Sequence, residues 1–301
     1  AARACSPSSP LRRAPGAWSP WRPVRRWQLA REVVEGNGLA ERVSVLCGRV
    51  EDVAEAVDSL LRQANGGAAA VVDVIVSEWM GYMLVCENMF PSVAFARDRW
   101  LAPVGGRMLP ESCGFWMAPF SHREAIEDMH GFWSSRPYGV DMSRLANRAI
   151  DEVISQPLLD LLHGPESVLS QPAEVWKMDC RTVTSQEVLA QTLSFAFDIC
   201  HVAKFHGLAC WFSCGFGAGV PEGLSTGPDD APTHWMQTLC FAGLTSDACY
   251  GLDVGLDDRV EGSLSWRALG RGLALELRGA VRRKLARDVI PFCRKLELAK
   301  P

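Results

Sequence analysis

The pattern of apolar and polar positions differs between the first third of the chain and the rest. In the first third, apolar residues recur at helical spacing over residues 27–35 and 51–64, and strand-like runs follow each at 42–47 and 71–76. The run at 71–76 is nearly continuous in β-branched residues, which is typical of a strand buried on both faces of a parallel sheet. Residues 27–100 are therefore predicted to form the latter half of a doubly wound α/β domain.

The rest of the chain predicts a different architecture. Short segments rich in Val, Phe, Trp, Thr and Leu are separated by Gly and Pro clusters, which favours an antiparallel barrel or sandwich. These segments are 112–118, 188–197, 208–216, 236–241 and 273–281. A helical pattern near 143–170 interrupts them. We expect an irregular Pro/Arg-rich segment at 1–26, a partial α/β domain at 27–101 and a β domain at 102–301.

Composition narrows the class of protein. The 301 residues are 48% hydrophobic and 22% charged, and no run of eighteen apolar residues occurs, so we expect no membrane span and no signal peptide. Eleven cysteines without CxxC pairs predict reduced thiols and no zinc site. Seven arginines and no acid lie in residues 1–31, which leaves −11 on the remainder. That acidity serves solubility, or it attracts a cationic partner such as an arginine-rich tail.

Two carboxylates carry the candidate chemistry. Glu78 stands just past the strand at 71–76, at the edge where open α/β sheets bind ligands, and Glu87 follows after eight intervening residues. Such a pair suits general acid/base catalysis, part of a metal site, or a clamp on a planar guanidinium. The neighbouring aromatics Trp79 and Tyr82 favour a flat cationic ligand. Two exposed loop acids without a function remain the alternative.

A resemblance narrows these alternatives. The stretch Ser77-Glu-Trp-Met-Gly-Tyr82, followed by Glu87-Asn-Met89, resembles the double-glutamate loop of the protein arginine N-methyltransferases. Further motifs stand in family order, and the resemblance extends from about residue 27 to about residue 281. They are Ala96-Arg-Asp-Arg-Trp-Leu101, Phe132-Trp133, Tyr138-Gly-Val-Asp-Met-Ser143, His206-Gly-Leu-Ala-Cys-Trp-Phe212, Leu224-Ser-Thr-Gly-Pro228 and Thr233-His-Trp-Met-Gln237. Within the family the chain is most similar to the type I, nuclear, histone-methylating branch.

The resemblance implies a fold, a reaction and a set of roles. The fold is α/β plus β: a truncated, Rossmann-like methyltransferase domain and a β-barrel domain whose helical arm makes a homodimer. The donor is S-adenosylmethionine, and the substrates are arginine-rich proteins, including histone tails, that become asymmetrically dimethylated. Membrane and direct nucleic-acid binding are not expected. The implied catalytic residues are Glu78 and Glu87. The residues implied to contact the substrate are Trp79, Met80, Tyr82, Met89, His234 and Trp235. Those implied to contact the adenine of the donor are Val50 and Glu51.

The sequence departs from the family pattern toward its N-terminus. Residues 1–47 contain no glycine-rich turn of the GxGxG kind, which lets the family's backbone approach the methyl donor. The position of the family's acidic ribose-binding residue falls near Arg22. We therefore expect the arginine half of the site and little of the donor half. Two interpretations stay open: an active methyltransferase seen here incompletely, or a catalytically inactive paralogue that serves as an arginine-tail-binding or dimerising scaffold.

Overall fold

A computed structural model describes residues 26–217, 220, 223–246 and 249–299. Apart from Arg26, the predicted irregular segment 1–26 lies outside these residues, as does the position near Arg22. Internal contacts divide the chain into a unit that ends at Arg49 and a second that begins at Val50. The predicted boundary between residues 101 and 102 stays a prediction.

The described residues form six α-helices and sixteen β-strands. The helices are α1 (Arg26–Gly36), α2 (Ala54–Ala64), α3 (Phe90–Trp100), α4 (Arg123–Ser134), α5 (Ala146–Ile154) and α6 (Ser185–Leu189), with 3-10 turns at Pro137–Gly139, Ser143–Leu145 and Pro165–Ser167. The strands are β1 (Val74–Val76), β2 (Arg107–Leu109), β3 (Ser112–Phe120), β4 (Leu158–Asp160), β5 (Ala173–Asp179), β6 (Ala190–Asp198), β7 (Ala203–Phe205), β8 (Gly207–Gly215), β9 (Leu224–Ser225), β10 (Gln237–Phe241), β11 (Thr245–Ser246), β12 (Cys249–Tyr250), β13 (Leu252–Val254), β14 (Arg259–Leu269), β15 (Gly272–Arg283) and β16 (Asp288–Leu298).

The described part of the first unit, residues 26–49, contains helix α1 followed by a segment without regular secondary structure. Helix α1 ends where Asn37-Gly38 predicts, with Gly38 at a φ of 65° that glycine tolerates. The prediction of a strand at 42–47 is wrong. That segment is held by the Arg31 guanidinium, which donates to the Val45 carbonyl at 3.0 Å, and it joins no strand ladder among the described residues. A strand forms only where a neighbour pairs with its backbone.

In the second unit, the described residues of the α/β part contain one parallel pair of strands. Strand β1 pairs with β2, Ile75 opposite Met108. The expectation that residues 71–76 are buried on both faces is wrong, because the Val76 side chain is 73% exposed. Among the described residues β2 is the only strand that pairs with β1. A two-stranded sheet leaves β-branched side chains in solvent that a wider sheet would cover.

The β part contains two large antiparallel sheets and, among the described strands, two further antiparallel pairs, β11-β12 and β7-β13. One large sheet has the order β4-β10-β8-β3-β5, with β9 on β8, and the other has the order β16-β15-β14-β6. Phe115 of β3 packs against Trp266 of β14 at 5.4 Å between ring centroids, which joins the two sheets. No ladder closes the two sheets into a barrel among the described strands.

The segment near 143–170, predicted to form a helical arm, contains helix α5. Helices α4 and α5 pack together, and the buried Ile126 and Ile150 join a small core with Phe120. The helical prediction fails at Leu158–Asp160, which forms strand β4. There Leu158 and Leu159 pair with Leu239 and Thr238 of β10, because the apolar run finds a sheet edge to complete.

Candidate functional site

The double-glutamate loop (residues 77–89) connects β1 to α3 and is anchored by its apolar residues. Trp79 is 2% exposed and packs edge-on against Phe90 at 4.9 Å, and Met80 and Leu84 are buried in the same core. Burial of the apolar positions leaves Glu78 exposed at the start of the loop. The side chains of Trp79 and Met80, predicted to contact substrate, therefore point into the core and anchor the loop of which they are part.

A close approach at Gly81 folds this loop back on itself. The Gly81 N–H donates to the Leu84 carbonyl at 2.9 Å, and the Cys86 N–H donates to the Tyr82 carbonyl at 3.0 Å. A Cβ atom at position 81 would lie 2.0 Å from the Cys86 carbonyl oxygen and 3.3 Å from Glu87 Cγ. Only glycine leaves room for this crossing. The fold thus brings Glu87 against the segment that begins with Glu78.

Glu87 is held by a turn that lies far from it in the sequence. Arg271 lies in the two-residue turn between β14 and β15, and its Nη2 pairs with Glu87 Oε2. The Arg271 carbonyl accepts from the Glu87 N–H at 2.7 Å, and the Asn88 side-chain amide donates to the Gly272 carbonyl at 3.3 Å. Glu87 is 18% exposed and Arg271 is 62% exposed. Sequence analysis missed Arg271, since nothing local marks a residue 184 positions away.

The THW loop (residues 233–237) meets the double-glutamate loop through Trp235. Trp235 Nε1 donates to the Met80 carbonyl at 3.0 Å, and its ring packs edge-on against Phe212 at 5.4 Å. His234 is exposed, and its ring lies 3.9 Å from that of Trp235. The structure therefore brings the two predicted motifs together across 155 positions of sequence. The roles of His234 and Trp235 as pocket walls stay predictions.

Other predicted site residues lie around the same loop. Tyr82 and Met89 are half-buried and pack against the core. Ser92, in the first turn of α3, donates from its hydroxyl to Glu51 Oε1 at 2.6 Å, which places Glu51 one helical turn from Met89. The fixed, half-buried Glu51 carboxylate fits the adenine end of S-adenosylmethionine as a hydrogen-bond acceptor.

For the remainder of the donor, the described residues offer no comparable fit. Val50 and Glu51 reach only its adenine end in the predicted arrangement. The chain has no GxGxG turn before them that would bring backbone amides to the rest of the molecule.

His206, which belongs to one of the family motifs, is a structural residue. Its Nδ1 accepts from the His122 backbone N–H at 2.9 Å, and its Nε2 lies 3.2 Å from the Tyr250 carbonyl, so both ring nitrogens have partners when the ring is neutral. Burial lowers the pKa of His206 to about 4, the Tyr250 carbonyl opposes this shift, and His122 and Lys204 add to it. The ring is neutral near pH 7.

The described part of the chain contains no metal-binding cluster and no membrane-spanning helix. No group of three or more His, Cys, Asp or Glu side chains there could hold a metal ion. No helix in the described ranges is both long enough and apolar enough to span a bilayer.

Comparison with known proteins gives one family throughout. The family described as "Arginine methyltransferase oligomerization subdomain" matches residues 112–268, which is just over half of the chain. "Probable protein arginine N-methyltransferase 6.1" of Oryza sativa subsp. indica is 38% identical over 238 residues, covering 70% of this chain and 59% of the relative. The chain spans 57–65% of the length of this and further curated relatives. The similarity to one branch of the family, expected from the sequence, is confirmed by relatives named "Protein arginine N-methyltransferase 6" of Xenopus laevis and "Probable protein arginine N-methyltransferase 6" of Arabidopsis thaliana, which are 38% and 36% identical.

Solved structures agree on the fold. Protein arginine methyltransferase 10 of Arabidopsis thaliana is 26% identical, with a TM-score of 0.67 over 91% of this chain and 80% of that one. The enzyme–prozyme heterotetrameric PRMT1 complex of Trypanosoma brucei with AdoHcy is 24% identical, with a TM-score of 0.68 over 91% and 78% of the two chains. The expected fold class, that of a Rossmann-like domain followed by a β-barrel domain, is confirmed by these structures. In this chain no ladder among the described strands closes the two large antiparallel sheets into a barrel.

Proposed function

Since the chain belongs to the protein arginine N-methyltransferase family, we propose that it binds an arginine side chain of a protein substrate at the double-glutamate loop for N-methylation. The observation that carries the proposal is the ion pair of Glu87 with a guanidinium, that of Arg271. A half-buried carboxylate that already takes an arginine of its own chain has the chemistry and the access to take one from a substrate.

The chain's own residues bind and orient the arginine in this mechanism. Arginine has a pKa above 12, so a carboxylate cannot deprotonate it in the ground state. Glu78 and Glu87 instead hold the guanidinium through its N–H groups and draw its positive charge toward one side. The remaining terminal nitrogen is then the better nucleophile, and its alignment supplies most of the catalysis. Trp235 and His234 wall the pocket, and Met89 limits the room for a methylated product.

The methyl donor of this proposal is S-adenosylmethionine, which supplies an electrophilic methyl group when it is bound. Val50 and Glu51 hold its adenine end. The support comes from relatives: the rice protein is named as a methyltransferase, and the Trypanosoma brucei complex contains AdoHcy, the demethylated donor.

A pair of carboxylate variants tests the clamp. Glu87→Gln keeps the shape of the side chain and removes its charge, so we expect binding of the peptide acetyl-Gly-Gly-Arg-Gly-Gly-amide to fall at least tenfold. Glu276→Gln is the matched control, since Glu276 also pairs with one exposed arginine, Arg278, away from the loop. Calorimetric titration gives the affinities, and circular dichroism confirms the fold. Equal affinity of Glu87→Gln and wild type would refute the clamp.

The proposed function extends to the substrates, the methylated product and the cellular localisation. We propose histone tails and similar arginine-rich segments, because the chain beyond residue 31 carries a formal charge of −11 that attracts cationic peptides. The product is asymmetric dimethylarginine, and the protein works in the nucleus and also in the cytoplasm. Mass spectrometry of histone peptides incubated with the chain and S-adenosylmethionine tests substrate and product. Unmodified peptides, with arginine binding intact, would count against the transferase part alone.

A second candidate function is a non-catalytic, arginine-binding and dimerising scaffold of the same fold. The sequence feature that favours it is the lack of a GxGxG turn in residues 1–47, beside an intact double-glutamate loop. The Trypanosoma brucei complex pairs an enzyme with a prozyme, which is a precedent for unequal partners in that protein. Two measurements separate the candidates: calorimetry with S-adenosylmethionine and sedimentation of the chain. Micromolar donor binding supports the enzyme, while a homodimer without donor binding supports the scaffold.

A further inference from the structure

An arginine of the chain itself occupies the carboxylate proposed to bind substrate. Arg271 Nη2 pairs with Glu87 Oε2, and the Arg271 side chain is 62% exposed at the tip of the β14–β15 hairpin. A substrate guanidinium that reaches Glu87 meets a like charge and a carboxylate that is already neutralised. The Arg271 guanidinium and the substrate guanidinium thus compete for Glu87.

The Arg271 side chain is not what holds the loop in place. The turn is fastened through its backbone: the Arg271 carbonyl accepts from the Glu87 N–H at 2.7 Å and from the Cys86 thiol at 3.6 Å. The Asn88 side-chain amide donates to the carbonyls of Gly270 and Gly272. Truncation of Arg271 beyond Cβ removes none of these contacts. It changes the charge at Glu87 and leaves the position of Glu87 fixed.

We propose that Arg271 is an internal competitor for the arginine site, which a substrate arginine must displace from Glu87 before it binds. This inference rests on the proposed function of the double-glutamate loop. Displacement is easy because the pair is exposed on the Arg271 side, where an ion pair contributes little. Its full loss corresponds to at most about fivefold in a binding constant. The hairpin tip therefore lowers substrate affinity by a modest, fixed factor.

Titration of the full chain with acetyl-Gly-Gly-Arg-Gly-Gly-amide tests the proposal. We expect Arg271→Ala and Arg271→Gln to bind the peptide about fivefold more tightly than wild type, the limit set by an exposed pair. Arg271→Lys keeps the charge beside Glu87 and is expected to stay within about twofold of wild type on the same reasoning. Arg278→Ala is the matched control: it removes another 62% exposed arginine from the same hairpin, with the same change in net charge.

The possible outcomes separate this inference from the function it rests on. Tighter binding by both neutral variants, with Arg278→Ala unchanged, supports the competitor. Peptide binding by wild type with equal or weaker binding by Arg271→Ala overturns the competitor and leaves the clamp standing. Absence of binding by every folded variant overturns the proposed function and the competitor with it. A peptide with lysine in place of arginine shows whether the binding depends on a guanidinium.

Discussion

Gly81 is the position where one added methyl group does the most damage to the proposed site. In Gly81→Ala the new Cβ would lie 2.0 Å from the Cys86 carbonyl oxygen and 2.7 Å from the carbonyl carbon, both backbone atoms that no rotamer change can move away. Relief requires a shift of the two loop segments by at least about 1 Å, since a Cβ atom essentially never lies within 3.0 Å of a heavy atom to which it is not bonded. That shift breaks the Gly81–Leu84 and Tyr82–Cys86 hydrogen bonds.

The magnitude follows from these two effects. Two hydrogen bonds contribute about 1 kcal/mol each, and overpacking adds about 1–3 kcal/mol, so we expect a loss of about 3–5 kcal/mol in the free energy of unfolding. The loop can absorb part of this locally by releasing Glu87. Arginine-peptide binding should then fall at least tenfold even where the global loss is smaller.

Urea unfolding followed by circular dichroism measures the stability change, with Gly131→Ala as the control. Gly131 lies inside α4 with nothing within 4 Å of its Cβ position, so alanine there should stabilise the chain by up to about 1 kcal/mol. The two glycine substitutions are thus expected to have opposite signs. An unchanged unfolding midpoint and unchanged peptide affinity for Gly81→Ala would refute the close approach and the loop geometry built on it.

Three further predictions concern charge, contact and exposure. The His206 side chain takes up a proton near pH 6.5 in the unfolded chain and only near pH 4 in the folded chain. The free energy of unfolding should therefore fall by about 3 kcal/mol as the pH falls between these values. Urea unfolding midpoints measure this pH dependence, which His206→Gln should lack. Trp235→Phe keeps a ring but leaves the Met80 carbonyl unpaired, so thermal denaturation should show a loss of about 1–3 kcal/mol. Val76→Thr should change the free energy of unfolding by less than about 0.5 kcal/mol, because the Val76 side chain is exposed. Phe115 is buried, so Phe115→Ala should lower it by about 3–5 kcal/mol in the same thermal denaturation assay.

The proposed site depends on core packing as much as on its charged residues. Trp79, Leu84 and Cys86 of the double-glutamate loop are buried in the same cluster as Phe212 of β8 and Leu277 of β15. A loop with four residues at positive φ, among them Glu87 at 82°, holds such a conformation only when its surroundings fix it. Substitutions of buried residues in the β sheets should therefore weaken arginine binding even though they leave Glu78 and Glu87 unchanged.

Local order was predictable from the sequence because local physics produces it. Helix α1 ends at the expected Asn37-Gly38, and β3, β8 and β10 lie within two residues of their predicted bounds. Each of these depends on a short-range cause: a glycine at positive φ, or an apolar segment between Gly and Pro breakers. The family motifs likewise identified both loops of the candidate site from their residues alone.

Partners distant in sequence decided the rest. Residues 42–47 and 71–76 carry strand composition, yet the first forms no strand and the second is half in solvent, because strand pairing and burial depend on neighbours that no local pattern specifies.

The same holds at the site. The sequence by itself determined which residues can bind a guanidinium, since only a carboxylate has that charge and geometry. The tertiary structure alone decided that Arg271 is the guanidinium Glu87 holds, because a hairpin 184 positions away closes onto the loop through backbone hydrogen bonds that any residue could make.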